Sequence, residues 1–276
     1  MSFKIVSDSS SNIFSVEGVD FESVPLKIIS SEKEYTDAPG LDTEMMIEDL
    51  KRLSAPSRTS CPNTSEWLDA FRGSDNIFAI TITSNLSGSY SSCVNAANEY
   101  MQENKNAKVI VLDSLSAGPE LALVIEKAAS LIQSGATIEE LDKAVREYAK
   151  NTHLVFSLKS LSNLAKNGRV NPAVAKLAGI LGILVVGKAS DEGTLQQLSK
   201  CHGEKKSFKS IISVMKDNSY RGGKVIIDHC LNLEAAKQLK SMILEEFKNA
   251  DVRIGVTTGL CSFYAEKGGL MIGFEG

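Results

Sequence analysis

Positive charge is the first thing this sequence lacks: its 30 lysines and arginines stand against 34 acidic residues, for a net charge of −4. Aromatic residues make up only 6% of it. Without an excess of cations or aromatics to stack bases, no broad surface for nucleic acid or anionic membrane is expected. Histidine is scarce too, with only His153, His202 and His229 present. Two of them sit beside cysteines, as Cys201-His202 and His229-Cys230. Adjacent residues on a strand point to opposite faces, and no further ligand follows at metal-binding spacing, so a zinc site is not expected. The five cysteines (Cys61, Cys93, Cys201, Cys230, Cys261) form no C-x-x-C pair and read as reduced thiols, most of them small core residues.

Long apolar runs are also missing. The longest, "LAGILGILVVG" from Leu177 to Gly187, falls far short of the roughly 20 residues that span a bilayer, so no transmembrane helix and no stable membrane insertion is expected. The start "MSFKIVSDSSS" enters a strand directly, without the charged and apolar regions of a secretory signal, and a cytoplasmic protein is expected. There is no G-x-x-x-x-G-K-[ST], no G-x-G-x-x-G and no G-x-S-x-G. ATP and dinucleotides therefore drop in standing, and no cofactor is expected.

What is present is a chain of 276 residues, 43% apolar, in which strand-like and helix-like runs alternate. "FKIVS", "VPLKII", "NIFAITIT" and "KVIVLDS" read as strands. "TEMMIEDLKRL", "SEWLDAFRG", "GSYSSCVNAANEYMQE", "GPELALVIEKAASLIQSG" and "TIEELDKAVREYAKNT" read as helices, and "IISSEKEYTDAPGLD" as a short hairpin or excursion. This order predicts a parallel-sheet α/β layer domain over residues 1–152. From 153 the order changes. Strand "HLVFS", helices in "LKSLSNLAKNG" and "NPAVAKLAGI", and a hairpin of "ILVVGKAS" and "TLQQLSKC" about Asp191-Glu192-Gly193 come first. Helix "KKSFKSIISVMKDN", strand "KVIIDHC", helix "NLEAAKQLKSMILEEFKNA" and strands "VRIGVTT" and "LMIGF" follow. This is a mixed α+β domain over 153–276.

In a parallel sheet, ligands sit outside the carboxyl ends of the strands. Small hydroxyl residues gather there: Asp8 to Asn12 after the first strand, Ser84 to Ser89 after the strand ending at Thr83, and Asp113-Ser114 after "KVIVL". A fourth cluster, Arg58 to Pro62, precedes a helix that Asn63 and Glu66 can cap as a pair. Each cluster alone is explained by caps and turns. Together they predict a pocket mouth of neutral donors with little positive charge, suited to a monoanionic carboxylate. The aliphatic stripe Leu158, Leu161, Leu164, Val174, Leu177, Ile180, Leu181 and Ile183 reads as core, with a ligand tunnel as the alternative. Lys166 to Arg169 reads as a helix end capped by Gly168. From the residues alone, three readings stay open: a carboxylate ligand with an apolar tail, a small polar anion such as a phosphorylated metabolite, and a Ser-dependent acyl hydrolase or transferase using Ser60 or Ser87.

The series "SDSSSN", "RTSCP", "TSNLSGSYSSC", "VLDSLSAGPE", "LKSLSNLAKNGRV" and "ILVVGK", in this order over nearly the whole chain, resembles the DegV family of bacterial fatty-acid-binding proteins. The resemblance implies a two-domain protein that holds one long-chain fatty acid at the domain junction. It also implies that the protein is not an enzyme but presents the carboxylate to a separate fatty acid kinase subunit. The family's T-S-x-P motif corresponds here to Thr59 and Ser60. Its L-S-G-T motif corresponds to Ser87 and Gly88, the latter through its N–H, with Ser89 replacing the threonine. Two stretches depart from the family. H-x-G-P-G is replaced by Tyr264, Glu266, Lys267 and Gly268, so that Tyr264 stands for the histidine as a ligand-binding residue. K-x-R-G, tied in the family to the kinase, reads Lys200-Cys201-His202-Gly203, and a histidine does not reproduce arginine's permanent charge and forked donors.

Overall fold

The computed structural model describes residues 3–171 and 182–276. Four parallel strands in the order β2-β1-β6-β7 form the first sheet: β1 Phe3–Asp8, β2 Asp20–Val24, β6 Asn76–Thr81 and β7 Lys108–Asp113. The two-residue alternation within β6 places its side chains on both faces. Ile77 and Ala79 pack with Trp67 and Phe71 of α2 (Thr64–Phe71) and Cys93 and Ala96 of α3 (Ser89–Glu103). Phe78 and Ile80 pack with α4 (Pro119–Gln133) and α5 (Ile138–Ala149). Both faces being covered explains why β6 is continuously apolar.

A second, six-stranded sheet runs β10-β9-β8-β13-β11-β12. Its strands are β8 Thr152–Leu158, β9 Ile183–Ala189, β10 Leu195–His202, β11 Gly223–His229, β12 Ala250–Val256 and β13 Leu270–Glu275. It is mixed as expected, with a β9–β10 hairpin and β11 and β12 parallel across α8 (Leu233–Glu246). Helices α7 (Glu204–Asp217) and α8 cover one face, where Val155 and Val186 meet Phe208, Ile211 and Leu239. On the other face Leu154, Phe156 and Leu158, every second residue of β8, line a cavity.

Helix α4 belongs to both sheets, packing on β1 and β6 and also on β8, β11 and β13. Gly273 permits this approach, since a Cβ there would stand 2.5 Å from the Glu120 nitrogen. The β9–β10 turn closes the contact from the other side: Thr83 Oγ1 donates to the Gly193 carbonyl at 2.9 Å, and Asn85 Nδ2 donates to Glu192.

Four sequence expectations need correction. "VPLKII" does not form one strand: β2 ends at Val24, and β3 (Lys27–Ile29) joins a separate antiparallel sheet with β4 (Glu34–Thr36) and β5 (Arg58–Ser60). The hydroxyl cluster at Arg58 to Ser60 is therefore a strand, not only the approach to α2. β6 stops at Thr81, because Thr83 turns to bond the Ser116 carbonyl instead of continuing the ladder. The helix expected in "LKSLSNLAKNG" shortens to α6 (Ser162–Lys166), and a helix not expected, α9 (Gly259–Ala265), lies between "VRIGVTT" and β13. α1 spans Thr43–Arg52. The stretch "NPAVAKLAGI", expected as a helix, lies outside the described residues apart from Asn171, as do Val174, Leu177, Ile180 and Leu181 of the aliphatic stripe.

Candidate binding site

One face of β8 floors a cavity of about 310 Å³. Leu154, Phe156, Leu158 and Met271 line it from the six-stranded sheet, while Leu26, Ile82, Ala117 and Leu260 line it from above. Leu164 adds a wall; Leu158, Leu161 and Leu164 share one buried core cluster, as read from the sequence, and Leu158 and Leu164 line the cavity as well. The cavity is at the low end of the size range for small-molecule sites and mostly apolar, with a few polar groups gathered together.

Those polar groups arrive on three elements. β5 carries Thr59 and Ser60 to the wall, aligned by the pairing of Thr59 with Ile28. The turn before α3 brings Ser87 and Gly88. The Ser87 hydroxyl oxygen accepts from the Ser89 nitrogen at 3.2 Å, which leaves its proton for another acceptor. α9 brings Tyr264, whose hydroxyl shares a hydrogen bond of 2.8 Å with Thr59 Oγ1. Burial raises the Tyr264 phenol above its ordinary value, opposed by the bond to Thr59 and by the charge of Arg169, so it stays a neutral donor.

Of the predicted residues, Thr59, Ser60, Ser87, Gly88 and Tyr264 meet on this cavity. Ser89 is not among its lining residues. Its hydroxyl is fully buried and donates to Asp8 Oδ2 at 2.6 Å. The serines after β1 are likewise spent on architecture. Asp8 accepts from Ser10 and from the Ile82 nitrogen, and Ser9 Oγ accepts from the Leu26 nitrogen. Asp113 accepts from the Ser84 and Leu115 nitrogens and holds its own turn. Two of the four hydroxyl clusters, at Thr59–Ser60 and at Ser87–Gly88, thus contribute lining residues.

Among the described residues a single cation, Arg169, joins these neutral donors, in keeping with the expectation of little positive charge. It lines the cavity, and its Nε donates to the Leu86 carbonyl at 3.1 Å. Its place just beyond α6 explains why it reads as a helix end in sequence. The fold of "NLAKNGR" turns at Gly168 and brings the guanidinium back against the turn that precedes α3. Cys61 and Cys261 also line the cavity. Cys61 is half-buried and Cys261 fully buried.

α9 is held where Tyr264 can work by partners outside it. Asp37, next to β4, accepts from the Gly259 and Leu260 nitrogens at 2.6 and 2.9 Å. At the other end Glu266 reaches across to accept from Ser160 Oγ and from the Asn163 nitrogen, capping α6 from a neighbouring segment. Among the described residues no cluster of histidine, cysteine or acidic side chains could hold a metal ion, and no helix is long and apolar enough to cross a membrane. His202 is exposed at the end of β10, while Cys201 beside it is buried.

Comparison with known proteins gives a consistent result. A family model described as "uncharacterised protein, DegV family" matches residues 2–275. A DegV domain-containing protein of Streptococcus pyogenes serotype M18 is 40% identical over 279 residues, covering 100% of both chains. Among solved structures, a DegV family protein from Eubacterium eligens loaded with heptadecanoic acid is 40% identical, with a TM-score of 0.97 and 99% of each chain covered. The Streptococcus pneumoniae Fatty Acid Kinase (Fak) B3 protein loaded with linoleic acid is 39% identical, with a TM-score of 0.97 over 100% of this chain and 99% of that one. This chain belongs to the DegV family.

Proposed function

We propose that this protein binds one long-chain fatty acid, its alkyl chain in the cavity on β8 and its carboxylate among Thr59, Ser60, Ser87, the Gly88 N–H and Tyr264. The observation that carries this reading is the pairing of an apolar enclosure with one cluster of hydroxyl donors, in which Tyr264 and Thr59 already bond each other across two elements. The fatty acids held by the Eubacterium and pneumococcal relatives support it. Arg169 adds one cation to the site, so the carboxylate binds as the anion. Most of the affinity comes from the chain, at about 0.8 kcal/mol for each buried methylene, and the hydroxyls fix its orientation. Ser89 acts from behind the cavity wall by holding the Asp8 carboxyl that orders the turn.

The protein is then a carrier with no cofactor and no chemistry of its own, made of the two units 1–152 and 153–276 with the site at their junction. It delivers the carboxylate to a separate kinase subunit, a reading supported by the pneumococcal relative. With His202 at the exposed end of β10 in place of the family's arginine, that contact lacks the arginine's permanent charge and forked donors.

Mass spectrometry of the native protein and of its solvent extract tests the proposal. A fatty acid at one equivalent is expected, and Ser87→Ala is expected to weaken rebinding about fivefold without lowering the melting temperature. A protein that carries no lipid and ignores added fatty acids would overturn it and favour a polar-anion ligand.

A further inference from the structure

One glycine in the middle of β9 has no turn to make. Gly187 pairs with Phe156 on one side and with Gln197 on the other, inside the six-stranded sheet, where glycine packs poorly and usually marks a close approach. The close approach is the Phe156 ring. A Cβ at position 187 would stand 2.4 Å from Phe156 Cζ and 2.6 Å from Cε2, far inside carbon–carbon contact distance. Paired residues share a face of the sheet, and this is the cavity face. The ring of Phe156 therefore lies across the bare α-carbon of Gly187. Phe156 is 5% exposed and lines the cavity, in register between Gly187 and Met271, which lines it too.

We propose that Gly187 is a specificity-determining position that acts through Phe156: by letting the ring lie down along the sheet, it sets the depth of the cavity and so the length of acyl chain that fits. This rests on the fatty-acid reading. Any side chain at 187 lifts the ring into the space the alkyl chain needs, and each methylene shut out costs about fourfold in affinity. The same hypothetical Cβ would stand 2.6 Å from the Gln196 carbonyl, next to a shift in the β9–β10 register between Gln197 and Ser199, so a substitution there also presses on the strand pair. The test must separate these two effects.

Dissociation constants for a series of saturated fatty acids, from about 12 to 18 carbons, would be measured on delipidated native protein and on four variants. These are Gly187→Ala, Phe156→Trp, Phe156→Leu and the double variant Gly187→Ala/Phe156→Leu. Gly187→Ala and Phe156→Trp are expected to shift the best-bound chain shorter, lowering the preference for long over medium chains about fourfold for each methylene lost. Phe156→Leu is expected to shift it longer. The double variant is expected to return toward the native ranking, because leucine lacks the two ring atoms that a Cβ at 187 would strike. If Gly187→Ala does not fold, the two Phe156 variants decide. Folded variants that all keep the native ranking would overturn the proposal. A native protein that binds no fatty acid of any length would instead overturn the ligand reading, and the gauge with it.

Discussion

Thr59 and Tyr264 are 205 positions apart in the chain and 2.8 Å apart in space. Tyr264→Phe removes one hydroxyl and little else, so it is expected to weaken fatty acid binding about threefold to tenfold, the net worth of a single hydrogen bond, with the melting temperature held. Titration of the delipidated variant checks this. Asp8 makes the opposite kind of contribution. It is buried with donors from Ser10, Ile82 and Ser89 around it, and burial raises its carboxyl above the usual range against those bonds. Asp8→Ala strands these donors and is expected to cost about 2–5 kcal/mol in urea unfolding, whether or not ligand is present. The hydroxyl clusters and the resemblance to the family's motifs pointed to Thr59, Ser60 and Ser87, and all three line the cavity. They could not show that Ser89 is claimed by Asp8, because that depends on β1 ending beside the start of α3. Arg169 was hidden for a similar reason: a cation after a helix-ending glycine has a sufficient local explanation, and only the folded turn places it at the cavity.

Among the helices, those with a clear period were readable and the short, enclosed α9 was not. α5 shows its face through Ile138, Leu141 and Val145, all buried. α9 shows none, since six of its seven residues are buried and no polar face marks the turn. Its position is dictated from outside by Asp37. Asp37→Ala is expected to loosen α9, seen as faster amide exchange at Gly259 and Leu260, and to weaken fatty acid binding through the displaced Tyr264. Slow exchange retained at both amides would show that α9 is held by its packing alone. Of the three-stranded sheet, the β3–β4 hairpin was read from the sequence, whereas β5 was not, because its three residues are too few for alternation to register.

For the molecule as a whole, the parallel sheet and the mixed sheet were legible from the order of their elements, whereas the bonds that join them were not. Two of those bonds use buried acids. Asn12 Nδ2 donates to Asp228 at 2.7 Å, and Thr152 Oγ1 donates to Glu120 at 2.9 Å. Burial, opposed by these bonds, pushes each carboxyl up to about 7. A folded-state value above the unfolded one, which is near 4, gives stability that is complete in acid and lost as pH rises through the folded value. The contribution of these two groups to stability is therefore expected to fall between about pH 4 and pH 8. Glu120→Gln should flatten its part of that slope and raise the melting temperature at the alkaline end, which thermal melts across the range would check. An unchanged slope would mean that Glu120 does not titrate with folding.

The strand order of the second sheet has a consequence in time. β13 lies between β8 and β11 but follows both in the chain, and it supplies Met271 to the cavity floor. All four strands of the parallel sheet have been made before residue 114. As the chain leaves the ribosome, the part of the cavity wall carried by Leu26 and Ile82 can thus be placed while β8 and β11 still await the strand that joins them. The space for the acyl chain is one of the last features to form, so a nascent chain cannot be loaded until it is nearly finished.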